Sequence, residues 1–462
     1  MAQKAVFLEG SLMRHVSVMS FTASIGLMAM FAVDFVDMLF ISMLGNQALA
    51  AAIGYAGTIL FFTNSINIGL SIAAGSLAAR SIGADDVPAA RSYATSVATL
   101  GVIIGLIVPP LVLFNLPTIL GFLGAEGEVA RLATRYLTII LPTMPIVAIG
   151  ITGMAILRAF GDARRSMFAT LSGGVVNAVL DALFIFGFGL GLEGAAIATV
   201  ISRFAMLAAA MYPVLKVHQG FTRPSLIGVR SDLTAVSAIA APAVLTNIAT
   251  PVGSAIVTRE IAQFGTDAVA GMAVIGRLMP LAFAVILALS GAIGPIVGQN
   301  FGARQFDRVK GAYNAGIVFA GVYVVLASAV LFVLRGPIAD VFEAQGMTLT
   351  LIYLFCGPLA LASFFNAVIF VGNASFNNLG HPMYSSWINW GRNTIGMWPF
   401  VIFGAQYWGA SGVLIGQAAG GVVFALISWL LVRRVSEGLL HPVEADPFVE
   451  QSRLHALSGR NR

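Results

Sequence analysis

The chain has 462 residues, 58% of them hydrophobic and 10% charged, with a mean hydropathy of +0.91. A water-soluble chain carries roughly 25% charged residues, so this one lacks the polar side chains to cover itself in water and takes the lipid bilayer as its solvent. Its net charge of +5 comes from arginines set singly or in pairs at the ends of apolar runs, with no basic stripe, which argues against a nucleic-acid partner.

Lys4 and Arg14 precede an apolar run that continues from Val16 past Val33, too long for the core of a signal peptide. It reads as a first membrane helix. About 20 apolar residues cross the hydrocarbon core, and segments that meet this need lie near 16–44, 50–79, 94–116, 132–157, 166–189 and 194–215. Six more lie near 236–264, 269–298, 311–334, 348–376, 384–404 and 410–432. None shows the apolar–polar alternation of a barrel strand, so the expected fold is an all-α integral membrane protein with twelve transmembrane helices.

An even count puts both termini on one side. With that side cytoplasmic, the inner loops 80–93, 158–165, 216–235, 300–310 and 379–383 hold eleven Lys and Arg, against Arg131, Arg135 and Arg335 outside. The positive-inside rule then predicts cytoplasmic termini in a cell (inner) membrane.

The chain also repeats itself. Ser71-x3-Gly75-x7-Gly83-Ala84 recurs as Ser290-x3-Gly294-x7-Gly302-Ala303, a shift of 219, and Gly161 maps onto Gly380 at the same shift. Leu44-Gly45 maps onto Phe264-Gly265 at 220, and Gly194 onto Gly412 at 218. Six spans separate the copies, so both face the same way, as in transporters built from parallel repeats with substrate bound between the halves. The expected organisation is two pseudo-symmetric six-helix lobes, an N-lobe over 1–216 and a C-lobe over 236–435. A cytoplasmic linker fills 217–235 and a polar cytoplasmic tail 436–462.

Charges inside the membrane each cost a few kcal/mol or more and so mark candidate sites. Asp34 and Asp37, spaced i, i+3, share a face of the first span; Asn177 and Asp181, spaced i, i+4, share one of the fifth. The second copy has Ser254 and Val257 opposite the first pair and Phe400 opposite Asp181, so the carboxylates belong to one lobe. Buried carboxylates bind protons more readily than exposed ones, and oxygens from Asp37, Asn177 and Asp181 equally suit Na⁺. The competing reading is structural: a neutral Asp bonding a kinked helix, or an Asp paired with an Arg. Arg203, Arg277 and Arg392 are also embedded, either snorkelling and pairing with helix ends or facing the acids and the cleft.

The single Cys356 sits in an apolar run and excludes a disulfide within the chain. The five histidines are scattered with no HExxH spacing, and no GxSxG elbow occurs, so no metal centre, cofactor or enzymatic activity is expected.

Taken in order, the motifs resemble the multidrug and toxic compound extrusion (MATE) family over nearly the whole chain. They are Asp37-Met-Leu-Phe-Ile-Ser-Met-Leu-Gly45 with Ala48-Leu-Ala-Ala51, Gly83-Ala84 with Arg91, and Leu157-Arg158-Ala-Phe-Gly161-Asp162. Asn177-x3-Asp181-x-Leu-Phe-Ile-Phe186, Gly194-Ala-Ala-Ile-Ala-Thr199 and Pro295-x2-Gly298-Gln299-Asn300-x-Gly302-Ala303 complete the series. The resemblance implies a monomeric H⁺- or Na⁺-driven antiporter exporting amphipathic organic compounds, with Asp37, Asn177, Asp181 and Thr199 as its ion site. Asn366, six residues before Gly372, stands where NorM-like members carry a second-lobe Asp, so the chain looks DinF-like. The first half of span one has Gly26 and no proline, which puts a proline-dependent bend there in doubt. The alternative is a flippase or exporter of a lipid-linked or amphipathic lipid precursor, whose phosphate the embedded arginines would suit.

Overall fold

The computed structural model describes residues 5–44 and 47–440. Gly45 of the first motif and the tail beyond 440 lie outside the described residues. The described chain is helical and multi-pass, with eleven helical segments long and apolar enough to cross a membrane. In chain order these are built from α1 (Leu12–Met43), α2 (Gln47–Gly83), α3 (Val87–Phe114), α4 (Leu116–Phe122), α5 (Gly127–Ile140), α6 (Met144–Ala159), α7 (Ala163–Ala182) and α8 (Gly191–Lys216). Then come α9 (Leu226–Ala262), α10 (Thr266–Ala282), α11 (Ala284–Gly302), α12 (Phe306–Val341), α13 (Gly346–Cys356), α14 (Ser363–Leu379), α15 (Pro382–Asn393) and α16 (Trp398–Leu440).

The eleventh segment, Pro382–Leu439, is 58 residues long. At about 1.5 Å per residue it would overrun a hydrocarbon core of ~30 Å nearly threefold. It doubles back at Gly409, whose φ of 59° and ψ of −142° no helix contains. Gly404 then lies against Gly412, and Gly416 against Phe400, so the arms on either side of Gly409 pack antiparallel. This hairpin accommodates the twelve passes expected from the hydropathy.

Several passes are broken, each by an identifiable residue. Pro142 lies within the 3₁₀ turn Leu141–Thr143 between α5 and α6, and Pro145 follows it at the start of α6. Pro280 precedes the step from α10 to α11 at Phe283. Gly357 and Pro358 divide α13 from α14. Proline removes a donor and clashes with the preceding turn, and such breaks survive inside a membrane protein only where neighbouring helices take up the freed polar groups. By contrast α1 runs unbroken for 32 residues, as the absent proline implied.

The structure moves two boundaries. Helix α9 starts at Leu226, with Ser225 capping the Gly228 N–H, so only 217–225 of the expected linker is non-helical. Arg80 and Arg158, read as loop residues, lie inside α2 and at the last turn of α6.

Two ends of the molecule differ. At the end bearing the segment before α1 and the last turn of α16, the lobes are pressed together. Helices α2 and α11 cross so closely that a Cβ on Gly83 would overlap the Gln299 carbonyl, and one on Gly302 the Arg80 carbonyl. Ser76 Oγ and Arg80 Nη2 of the N-lobe both donate to the Asn377 carbonyl of the C-lobe, at 2.9 and 2.8 Å. The segment before α1 straps this contact: the buried Phe7 donates its N–H to Gln299 Oε1 (2.9 Å) and accepts from Asn300 Nδ2 and Arg308 Nη2. Gln299 Nε2 meanwhile donates to the Ala159 carbonyl across the lobe boundary, at 2.8 Å. At the far end the N-lobe has a core of its own, with Ile41, Ala52, Leu120 and Leu137 packed together and no C-lobe residue among them. Phe35, Met38 and Phe61 are exposed there.

Candidate functional site

Helices α1 and α7 run side by side and bring the predicted acids together in the far half of the N-lobe. Asn177 Nδ2 donates to Asp37 Oδ2 at 3.0 Å and to Asp181 Oδ2 at 2.5 Å. One carboxamide thus bridges the two carboxyl groups, which lie within hydrogen-bonding reach of each other. Asp181 and Asn177 are 1% and 6% exposed, whereas Asp37 is half-buried. The second oxygens, Asp37 Oδ1 and Asp181 Oδ1, are buried without a hydrogen-bond partner. The spacing that put Asn177 and Asp181 on one face therefore does what it predicted. Just after Asp181, α7 widens into a π turn over Leu183–Gly187, a feature that often sits at functional sites.

Two carboxylates this close repel each other unless a proton or a cation lies between them. The two orphaned oxygens are the groups such an occupant would satisfy. Among the described residues no group of three or more His, Cys, Asp or Glu is placed to hold a metal ion.

Thr199 donates its hydroxyl to the Ala195 carbonyl at 3.0 Å, and its side chain lies beside Tyr136. Tyr136, on α5, has Asp37, Asp181 and Arg203 as its charged neighbours. The sequence reading missed this tyrosine. A lone Tyr in an apolar run has no period to betray it.

The remaining candidates separate. Asp34, one turn before Asp37, is exposed. Arg203 serves the break in the fourth pass: Nη1 donates to Thr143 Oγ1 at 2.5 Å and to the Ile140 carbonyl at 3.2 Å, the helix-end pairing foreseen for it. Arg277 reaches across from α10 to Met38 Sδ at 3.1 Å, one residue from Asp37. Arg392, at the end of α15, has no ion pair among the described residues. Asn366 packs by Gly421 of α16, and no hydrogen bond joins it to the acid pair.

A second feature lies between the lobes: a cavity of ≈ 210 Å³ behind the sealed end, with walls from α2, α6, α9, α11, α14 and α15. Beneath it, Asp162 ties the start of the linker to the α6–α7 turn. Its Oδ2 accepts from His218 Nε2 at 2.9 Å and from Arg165 Nη1 at 2.7 Å, and its Oδ1 from the Arg165 N–H. Burial alone would push this carboxyl up, but the His218 and Arg165 hydrogen bonds and the Arg165 charge outweigh it and bring it down to about 2.

Comparison with known proteins places this geometry in context. The MatE family model matches twice, over residues 23–183 and 242–402, again 219 residues apart. An FAD transporter of Shewanella oneidensis is 28% identical over 435 residues, spanning 92% of this chain and 95% of that protein. A probable multidrug resistance protein NorM of Thermotoga maritima is 26% identical over 338 residues, 72% of this chain and 73% of that one. Among solved structures, a point mutant of the Vibrio cholerae MATE transporter VcmN superposes with a TM-score of 0.88 at 24% identity, covering 92% of this chain and 97% of that one. A MOP superfamily transporter from Pyrococcus furiosus, described as having a binding pocket of reversed polarity, gives 0.87 at 23%, covering 94% and 98%.

Proposed function

Because the chain belongs to the MatE family of membrane transporters, we propose that it is a secondary exporter that couples inward flow of H⁺ or Na⁺ to outward movement of an amphipathic organic compound. The observation that carries this reading is the bridged pair: Asp37 and Asp181 share Asn177 and leave two buried oxygens unpartnered. The ion completes the site by lying between the carboxyls, with Thr199 and Tyr136 alongside. Binding of the ion and binding of cargo then favour different shapes of the same lobe, so each ligand expels the other through its differential affinity. With cytoplasmic termini, the end at which the lobes are pressed together is the cytoplasmic one. The names of the relatives divide the cargo between multidrug compounds and FAD.

The test is transport by purified protein in liposomes under imposed pH or Na⁺ gradients. One gradient should drive efflux in the wild type. Asp37→Asn and Asp181→Asn, which nearly keep the volume but lose the switchable charge, should fold and lose gradient-driven efflux by on the order of a hundredfold, beyond the tenfold that about 1.4 kcal/mol represents. Asp34→Asn, exposed and outside the bridge, should hurt less. Wild-type efflux in both bridged variants would remove the coupling role.

A further inference from the structure

The inter-lobe cavity plays no part in ion coupling, yet its walls are chemically one-sided. Asn247, Ser290, Asn373, Asn377 and Asn389 supply amides and hydroxyls, and Arg158 is the charged side chain on the wall; no acidic residue lines it. Arg158 donates Nη1 to Ser166 Oγ at 3.0 Å and takes part in none of the ion pairs of the described residues. The carboxylate nearest in sequence, Asp162, is already engaged by His218 and Arg165. Arg158 is only partly buried although it lies inside the molecule, and its Nε stands 3.9 Å from the place of a Cβ on Gly291, itself a wall residue. The uncovered part of Arg158 therefore faces the cavity.

A desolvated cation without a counter-charge is costly. Here the cost falls on the wall of a cavity that a ligand could fill. The amides add donors: Asn247 spends one N–H on the Ala243 carbonyl and keeps a second, and Asn389 donates to Asn373 Oδ1, orienting that amide. A guanidinium fork beside amide and hydroxyl donors is the arrangement that takes phosphate oxygens. A cationic amphiphile would meet Arg158 with like charge and no acid to offset it. The volume of ≈ 210 Å³ is below the ~300 Å³ at which drug-sized pockets begin, so this state holds a head group.

We propose that the inter-lobe cavity is a cargo site for a phosphate-bearing anion, held by Arg158 and the surrounding asparagines. The assignment rests on the exporter reading only in treating the occupant as cargo; the binding chemistry stands apart from ion coupling.

The test is binding to the purified full chain by isothermal calorimetry, without a gradient. Inorganic pyrophosphate and ADP represent soluble phosphates, dioctanoyl phosphatidic acid a lipid head group, and tetraphenylphosphonium the opposite charge. Saturable binding in either phosphate arm is expected, and which arm binds identifies the source. Arg158→Gln should weaken it about tenfold or more, the scale of a charged hydrogen bond, and Arg158→Lys should weaken it less. Because Arg158→Gln also loses the Ser166 contact, Asn247→Asp is a second probe: it keeps Arg158, places a carboxylate in the cavity, and should weaken phosphate binding while strengthening tetraphenylphosphonium. No binding in either phosphate arm, or affinities unmoved by Arg158→Gln and Asn247→Asp, overturns the proposal. Gradient-driven efflux of tetraphenylphosphonium with no phosphate binding would defeat this assignment and leave the coupling intact. Phosphate binding with no gradient-driven transport would do the reverse.

Discussion

At the scale of single residues, Asp162 shows how a charge outside the membrane core is used. It caps α7 through the Arg165 N–H and joins that helix start to His218 in the linker, whose ring stacks on Phe160 at 4.9 Å. Its carboxyl titrates at about 2, below the ordinary 3.8, so the folded state favours the ionised form. Its contribution to stability is therefore complete above about pH 4 and is lost as pH falls from there towards 2. Asp162→Asn should lower stability by on the order of 1 kcal/mol, a figure reduced for partial solvent screening. Thermal unfolding in detergent should show the gap between wild type and variant at about pH 6 and its closure below about pH 4. A gap that widens on acidification would contradict this role. The bridged pair of acids was legible in the sequence because a charge in an apolar run announces itself and i, i+4 spacing fixes its face. Tyr136 and the cavity-facing Arg158 were not, since an aromatic in a helix is ordinary and an arginine near a span end looks like a loop residue.

At the scale of elements, the strap before α1 joins both lobes through two glutamine bonds. Gln299 accepts from Phe7 N–H and donates to the Ala159 carbonyl, so one side chain ties the N-terminal segment, the N-lobe and the C-lobe. Gln299→Ala leaves a buried N–H and a buried carbonyl unpaired, at a cost of roughly 1–3 kcal/mol to the sealed state. A cysteine at Asn377, 6% exposed behind the seal, with Cys356 replaced, should then react with an aqueous thiol reagent on the order of tenfold faster. An unchanged rate would mean that the strap does not hold this end shut. The element order itself was readable from hydropathy and turn residues, including the hairpin around Gly409. The breaks inside the fourth, eighth and tenth passes were not, because an apolar run reads as continuous whether or not a proline steps it. The strap was hidden for another reason: Gln299 and Asn300 were visible as a motif, but their partner lies 292 residues away in sequence.

At the scale of the whole molecule, the repeat explains the shape of the seal. Arg80 and Gln299 occupy equivalent places in the two copies, as do Gly83 and Gly302, and the contacts are reciprocal: Gly83 meets the Gln299 carbonyl while Gly302 meets that of Arg80. Helices α2 and α11 thus cross on the pseudo-twofold axis, and only glycine leaves room for the backbones to touch. Ala79 and Gly298, another equivalent pair, face each other there: a Cβ on Gly298 would stand 2.8 Å from the Ala79 Cβ. Alternating access requires these residues to separate when the near end opens. A disulfide between cysteines at 79 and 298 needs Cβ atoms about 3.5–4.5 Å apart, so a slight parting of the helices lets it form, whereas an opened near end does not. In a background with the buried Cys356 replaced, oxidation of the Ala79→Cys, Gly298→Cys protein should stop turnover in liposomes, and reduction should restore it. Ligand access from the far end should survive the crosslink, because that half of the N-lobe is packed within itself. Undiminished turnover in fully crosslinked protein would show that the two lobes do not part at this crossing during transport.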